Sequence, residues 1–163
     1  MSDARVRWPA GLAPSRAAVY AHNELDIAAS PDAVWAWLIA APRWPELYAN
    51  CKRLRIVDGG DRLANGTRFT WWTFGVPVDT TVDGFEPHRY LAWTGRGLGA
   101  RGHHVWLIAP TAAGCRVVTE ETQVGFAPRV LAPWLRGALV RQHQRWLDGF
   151  ARAAALGSPD PPR

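Results

Sequence analysis

Sulfur and lysine are scarce in this 163-residue chain: two cysteines, one methionine and a single lysine, Lys52. Cys51 and Cys115 stand far apart and outside any C-x-x-C spacing. That excludes a redox pair or a thiolate metal site and leaves two reduced, buried thiols. No apolar run approaches the ~18 residues needed to span a membrane. The opening MSDARVRWPAGLAPSRAAVY carries arginines but no continuous apolar stretch, so it does not read as a secretory signal, and a cytoplasmic location is expected. Basic runs are missing too. The net charge of +5 comes from arginines scattered over the whole chain, as GC-rich codon usage would produce, and no DNA- or RNA-binding fingerprint accompanies them. Nucleic acid is therefore not an expected partner.

Sequence signatures of chemistry are equally sparse. There is no H-x-H, no H-E-x-x-H and no carboxylate triad, so no metal is expected. No G-x-S-x-G or G-x-G-x-x-G occurs, which leaves hydrolase and dinucleotide readings without support and no cofactor expected. RGLGARGHH (96–104) is glycine-rich and basic but lacks a following helix. It reads as the rim of a pocket, with Arg96 and Arg101 able to meet an anionic group on a ligand.

What the chain has is an ordinary globular composition, 48% hydrophobic and 20% charged, at a length that suits one domain. LDIAA (25–29) predicts a short strand. SPDAVWAWLIA follows, with Ser30 as N-cap and Pro31 at the first helical position. At most one of Trp35 and Trp37 can face the core squarely from that helix. Pro42 stops it, and PRWPELYAN predicts a second short helix or turn. From Cys51 the pattern changes to six strands bounded by Gly, Pro or Asp, and short connections make them an antiparallel meander. A long helix over about 128–156 closes the chain, with Leu131, Leu135, Leu139, Trp146 and Phe150 on one stripe. Residues 1–18 and 157–163 are rich in Pro, Ala and Gly and predict a flexible arm and tail around one domain at 19–156.

This order of elements, with ASPDAVWAWL early, DGFEPHRYLAWTG in the middle and HVWLIAPTAAGCRVVTEE later, resembles the START-like (SRPBCC) superfamily, in its polyketide cyclase/dehydrase-like branch. The resemblance covers about residues 20–155 and rests on element order rather than on a catalytic signature. It implies an α+β helix-grip fold: a curved seven-stranded antiparallel sheet around the C-terminal helix, with a ligand cavity between them. It does not imply one activity, because members include lipid carriers, hormone-binding proteins, chaperone regulators and aromatic polyketide cyclases.

Hairpin arithmetic assigns faces independently of the family. The turn TAAG (111–114) makes opposed residues sum to 225, which sets Trp106 opposite Thr119 and His104 opposite Glu121. GLGA (97–100) gives sums near 197, pairing Trp93 with His104 and Leu91 with Trp106. The turn around Gly75 suggests sums near 151, pairing Phe69 with Val82 and Trp71 with Thr80. Alternation then sends the adjacent His103 and His104 to opposite faces. The face gathering the larger rings is taken as inward, so the expected ligand-binding residues are Phe69, Trp71, Thr80, Val82, Leu91, Trp93, Trp106, Ile108 and Thr119, with Trp146 from the helix. A bulge is expected in VDGFEP, with Gly84 and Phe85 competing for the inward place. Outward Val105 and Leu107 make that face less polar than a free surface should be, which would suit a homodimer contact.

Two functions stay open. One is binding of a hydrophobic or aromatic small molecule in a Trp-lined cavity. The other is a polyketide cyclase/dehydratase-like enzyme with His104 and Glu121 as its acid–base pair. The same pair could equally be a satisfied structural contact. His143 reads as a core or rim residue of the last helix.

Overall fold

The computed structural model describes residues 6–159. The elements run β1 (Val19–Ile27), α1 (Pro31–Ile39), α2 (Trp44–Leu47), β2 (Lys52–Ile56), β3 (Arg68–Thr73), β4 (Val76–Glu86), β5 (Tyr90–Gly97), β6 (Ala100–Thr111), β7 (Gly114–Gly125) and α3 (Phe126–Leu156). The strands form one antiparallel sheet ordered β1-β7-β6-β5-β4-β3-β2, so the first strand crosses over to pair with the last. This is the expected helix-grip fold, with α3 laid across the concave face.

Local chemistry sets the boundaries. Ser30 Oγ accepts the Ala33 backbone N–H at 3.2 Å and starts α1, with Pro31 at its first position. β1 begins at Val19, six residues before the expected LDIAA, because Val19 and Ala21 bury their side chains against Leu135 and Leu139 of α3. Both Trp35 and Trp37 are buried, where only one was expected to face the core. Trp35 packs edge-on to Phe85, and Trp37 donates its indole N–H to the Gly157 carbonyl at 2.7 Å.

The pairing of β5, β6 and β7 follows the arithmetic: Trp93 faces His104, Leu91 faces Trp106, His104 faces Glu121 and Trp106 faces Thr119. β3 and β4 do not. Their turn is centred on Phe74–Gly75, both at positive φ, so Phe69 faces Thr80 and Trp71 faces Val78. The slip is two residues, which changes the partners and preserves the faces. The bulge falls between Val82 and Gly84. A Cβ on Gly84 would lie 2.5 Å from the Tyr90 ring, so Gly84 takes the outward place and Phe85 turns in.

The core sits between sheet and helices around Trp44, which is fully buried and donates to the Leu38 carbonyl at 3.1 Å. Trp146, Trp93 and Phe69 surround it at ring-centroid distances of 4.9, 5.3 and 5.8 Å. Burying each such side chain contributes roughly 1.5–3 kcal/mol.

Residues 6–18 were expected to be a loose arm. Instead Leu12 is fully buried, and Val6 and Trp8 pack with Leu107 over the outward residues Tyr90, Ala92 and Val105. The Thr122 hydroxyl donates to the Leu12 carbonyl at 2.7 Å and ties the segment down. The apolar outward face is thus covered by the chain's own N-terminal strap, so its character needs no second copy to explain it. The start of the expected tail is also held, since Arg43 donates to the Pro159 carbonyl at 3.1 Å. The remainders of arm and tail, 1–5 and 160–163, lie outside the described residues.

Candidate ligand-binding cavity

A cavity of about 210 Å³ opens between the inner face of the sheet and the first two-thirds of α3, from Ala127 to Trp146. Trp71, Trp93, Trp146 and Tyr48 wall its deep end. Tyr48 stacks on Trp146 at 4.5 Å and 3° between planes, and its oxygen accepts from Asn50 Nδ2 at 2.8 Å. Burial holds the phenol well above its ordinary pKa, so the hydroxyl keeps its proton. The mouth is apolar: Leu98, Leu131 and Trp134 line the cavity while remaining 69%, 47% and 58% exposed.

Of the expected ligand-binding residues, Trp71, Thr80, Trp93 and Trp146 line this space. Thr80 Oγ1 accepts the Trp71 indole N–H at 3.1 Å and so is already partnered. Phe69, Val82, Leu91, Trp106 and Ile108 face inward but lie in the packed end of the grip, within the main core. Trp106 meets Trp146 at 5.0 Å and Phe150 at 5.4 Å, leaving no room for a ligand beside it. Thr119 is fully buried and bonded to His104. Arg96 and Arg101, expected at the rim, face each other across β5 and β6 on the outward side, and the rim there is Gly95, Gly97 and Gly102.

His104 and Glu121 meet as their register requires. His104 is buried, with Nδ1 3.3 Å from Glu121 Oε2 and Nε2 2.7 Å from Thr119 Oγ1. His143, from the middle of α3, is also buried and places Nε2 3.0 Å from the same Glu121 oxygen. Gln123 Nε2 donates to the other oxygen, Oε1, at 2.6 Å. All three residues line the cavity.

The electrostatics follow from this geometry. Burial drives the His104 pKa down, so the ring is neutral near pH 7. Burial alone would raise the Glu121 pKa, but hydrogen bonding from His143 and Gln123 outweighs it and holds the carboxyl ionised. His103 points to the opposite face and is nevertheless buried, with Nδ1 3.0 Å from Thr94 Oγ1 and the edge of Trp8 against its ring at 5.6 Å.

His143 is the residue sequence reasoning underrated. It lies four residues beyond Leu139 on the buried stripe, so its place on the inner face was readable, whereas its height along the sheet was not. The apolar mouth was partly visible as Leu131 and Leu135 on that stripe.

A curved antiparallel sheet gripping a terminal helix over a mostly apolar cavity with a few polar side chains defines the helix-grip class of folds. The chain belongs to the family described as polyketide cyclase / dehydrase and lipid transport, which it matches over residues 20–155. Among solved structures, it is similar to a hypothetical protein from Helicobacter pylori at 28% identity, covering 92% of this chain and 96% of that one, with a TM-score of 0.85. It shares its fold with the ZhuI aromatase/cyclase from a Streptomyces species (16% identity, 83% and 93% coverage, TM-score 0.69). Ara h 8.0201 has the same fold at 12% identity, with 85% and 98% coverage and a TM-score of 0.68. No curated protein sequence matches the chain. No helix of the described residues is long and apolar enough to cross a membrane.

Proposed function

We propose that this protein binds a flat, hydrophobic or aromatic small molecule in the cavity between sheet and α3, acting in the cytoplasm. The observation that carries this reading is the wall itself: Trp71 and Trp93 from the sheet and Trp146 from α3 line it, with a small number of polar side chains, Tyr48, His104, Glu121 and His143 among them. Apolar walls with a few convergent polar groups are how small-molecule sites recognise and orient a ligand. Tyr48 lines the cavity, keeps its proton and accepts from Asn50 Nδ2, so its hydroxyl can donate to a carbonyl or phenolate oxygen of the ligand. The cavity volume, about 210 Å³, suits a compact ligand of few rings, or part of a longer one emerging through the Leu98–Trp134 mouth.

The second reading is a cyclase/dehydratase-like enzyme in the same cavity. It is favoured by the presence of an ionised carboxylate and two imidazoles at the cavity wall, beside a shared fold with an aromatase/cyclase. Proton removal from an enolisable carbonyl would fall to Glu121, since both nitrogens of His104 are engaged. A carboxyl held ionised by its hydrogen bonds is a weak base, which places binding ahead of catalysis.

Native mass spectrometry of protein purified from its own host tests the two readings. An unmodified apolar compound at near-stoichiometric occupancy is expected for a carrier, and a processed, cyclised product for an enzyme. Protein that carries no small molecule and binds no apolar dye in solution would remove both.

A further inference from the structure

The absence of metal-binding spacings in the sequence is a statement about neighbours along the chain. His104, Glu121 and His143 come from three different elements, β6, β7 and α3, and no local pattern could have linked them. In the structure their donor atoms lie within 4.8 Å of one another. We propose that His104 Nδ1, His143 Nε2 and Glu121 Oε2 form a binding site for a divalent transition-metal ion of the zinc or iron(II) kind, with its open coordination positions facing the cavity.

The distances carry the proposal. Ligands that share one ion at 2.0–2.2 Å sit about 3.0 Å apart in octahedral and about 3.4 Å apart in tetrahedral geometry. The two imidazole–carboxylate separations, 3.3 and 3.0 Å, fall on these values. The third edge is bounded by 4.8 Å, and because the two imidazoles are stacked 27° from parallel with centroids 4.6 Å apart, binding an ion requires them to tilt so that both lone pairs converge on it. Two imidazoles and one carboxylate form the donor set of ions that keep positions open for water or substrate.

The surroundings fit the same use. Thr119 Oγ1 stands 2.7 Å from His104 Nε2, where it can accept that N–H and leave Nδ1 as a lone-pair donor. Gln123 fixes the carboxylate through its other oxygen. Metal ligands are commonly oriented by partners of this sort. All three ligands border the cavity, so an oxygen of an aromatic ligand lying along Trp93 could complete the coordination. Only that last step rests on the cavity reading. The metal site itself stands or falls without any organic ligand.

The test is a titration of chelator-treated full-length protein with Co(II), read by its visible absorption, and with Zn(II), read by calorimetry. One ion per chain is expected. Glu121→Gln and His143→Ala should each lose more than the ~100-fold that an outer-shell change can cost, Thr119→Val should lose ~10- to 100-fold, and His22→Ala and His88→Ala should bind as the wild type does. X-ray absorption of the zinc-loaded wild type supplies a check independent of how the variants fold: two imidazoles plus oxygen, and no sulfur. A wild type without a one-to-one site, or with binding unaltered by His143→Ala in a folded variant, overturns the proposal. A cavity that binds no apolar dye while the ion still binds would defeat the ligand reading alone.

Discussion

His104 and His143 stack 27° from parallel with ring centroids 4.6 Å apart, and both address one oxygen of Glu121. The adjacent His103 has no part in this arrangement, because it faces the N-terminal strap. His104→Ala should therefore weaken ligand binding roughly 5- to 150-fold, about 1–3 kcal/mol, by leaving the Glu121 carboxylate at the cavity wall short of one buried partner. His103→Ala should leave affinity unchanged while lowering the melting temperature, since it opens a hole under Trp8. Dye-binding titrations and thermal melts on the two variants separate these effects. Equal losses of affinity in both would contradict the division of faces.

Trp134 and Trp106 should behave as opposites. Trp134 is largely exposed at the mouth and meets Phe74 at 6.3 Å, so Trp134→Ala should change ligand uptake with little effect on stability. Trp106 is fully buried beside Trp146 and Phe150, and its removal should cost about 3–5 kcal/mol of folding free energy. Denaturant melts paired with dye titrations would reveal any exchange of these roles.

Two helical glycines on α3 give a test of packing with opposite signs. A Cβ on Gly137 meets only the flexible end of Arg141, at 3.2 Å, so Gly137→Ala should stabilise by up to about 1 kcal/mol. A Cβ on Gly149 would lie 2.6 Å from the Leu47 carbonyl oxygen of α2. There the same substitution should destabilise by about 1–3 kcal/mol, because helix and backbone must separate. If both variants melt above the wild type, α3 does not approach α2 this closely.

Alkali should unfold the protein earlier than acid-stable groups alone would suggest. Burial pushes the Cys51 thiol up to about 12, and burial with the Glu120 carboxylate pushes Tyr20 up to about 12. In the unfolded chain these groups ionise near ~8.5 and ~10, so the unfolded state loses protons first. Their contribution is intact below about pH 8.5 and is lost progressively toward about pH 12. Melting temperature should fall steeply across that window, and Cys51→Ala should soften its onset. Native protein should also resist thiol alkylation at pH 8, with both cysteines labelled once it is unfolded.

How much of this could be read beforehand depended on where local rules act. The β5–β6–β7 registers were legible because their two hairpins carry short, well-placed turns and no bulge interrupts residues 91–108 or 104–121. The β3–β4 register was missed by two because Phe74, a non-glycine residue at φ 52°, takes the first turn position. Faces survived the error because alternation depends on parity alone. The cavity's position was illegible for a different reason. Trp93 and Trp106 share a face, yet Trp93 lines the cavity and Trp106 does not, because Trp146 and Phe150 of α3 pack directly against Trp106. The strap over the outer face hides behind a composition of Pro, Ala and Gly that otherwise marks a loose end.

The indole cluster makes the protein an optical instrument. Trp44, Trp93, Trp106 and Trp146 lie with neighbouring ring centroids 4.9–6.5 Å apart. Chromophores at that spacing share excitation, so light absorbed by one is emitted from whichever has the lowest excited state. A molecule resting against Trp93 or Trp146 therefore perturbs the emission and near-ultraviolet circular dichroism of the whole group, without any added label. Trp134, set apart at the solvent, emits further to the red and registers the mouth separately from the interior.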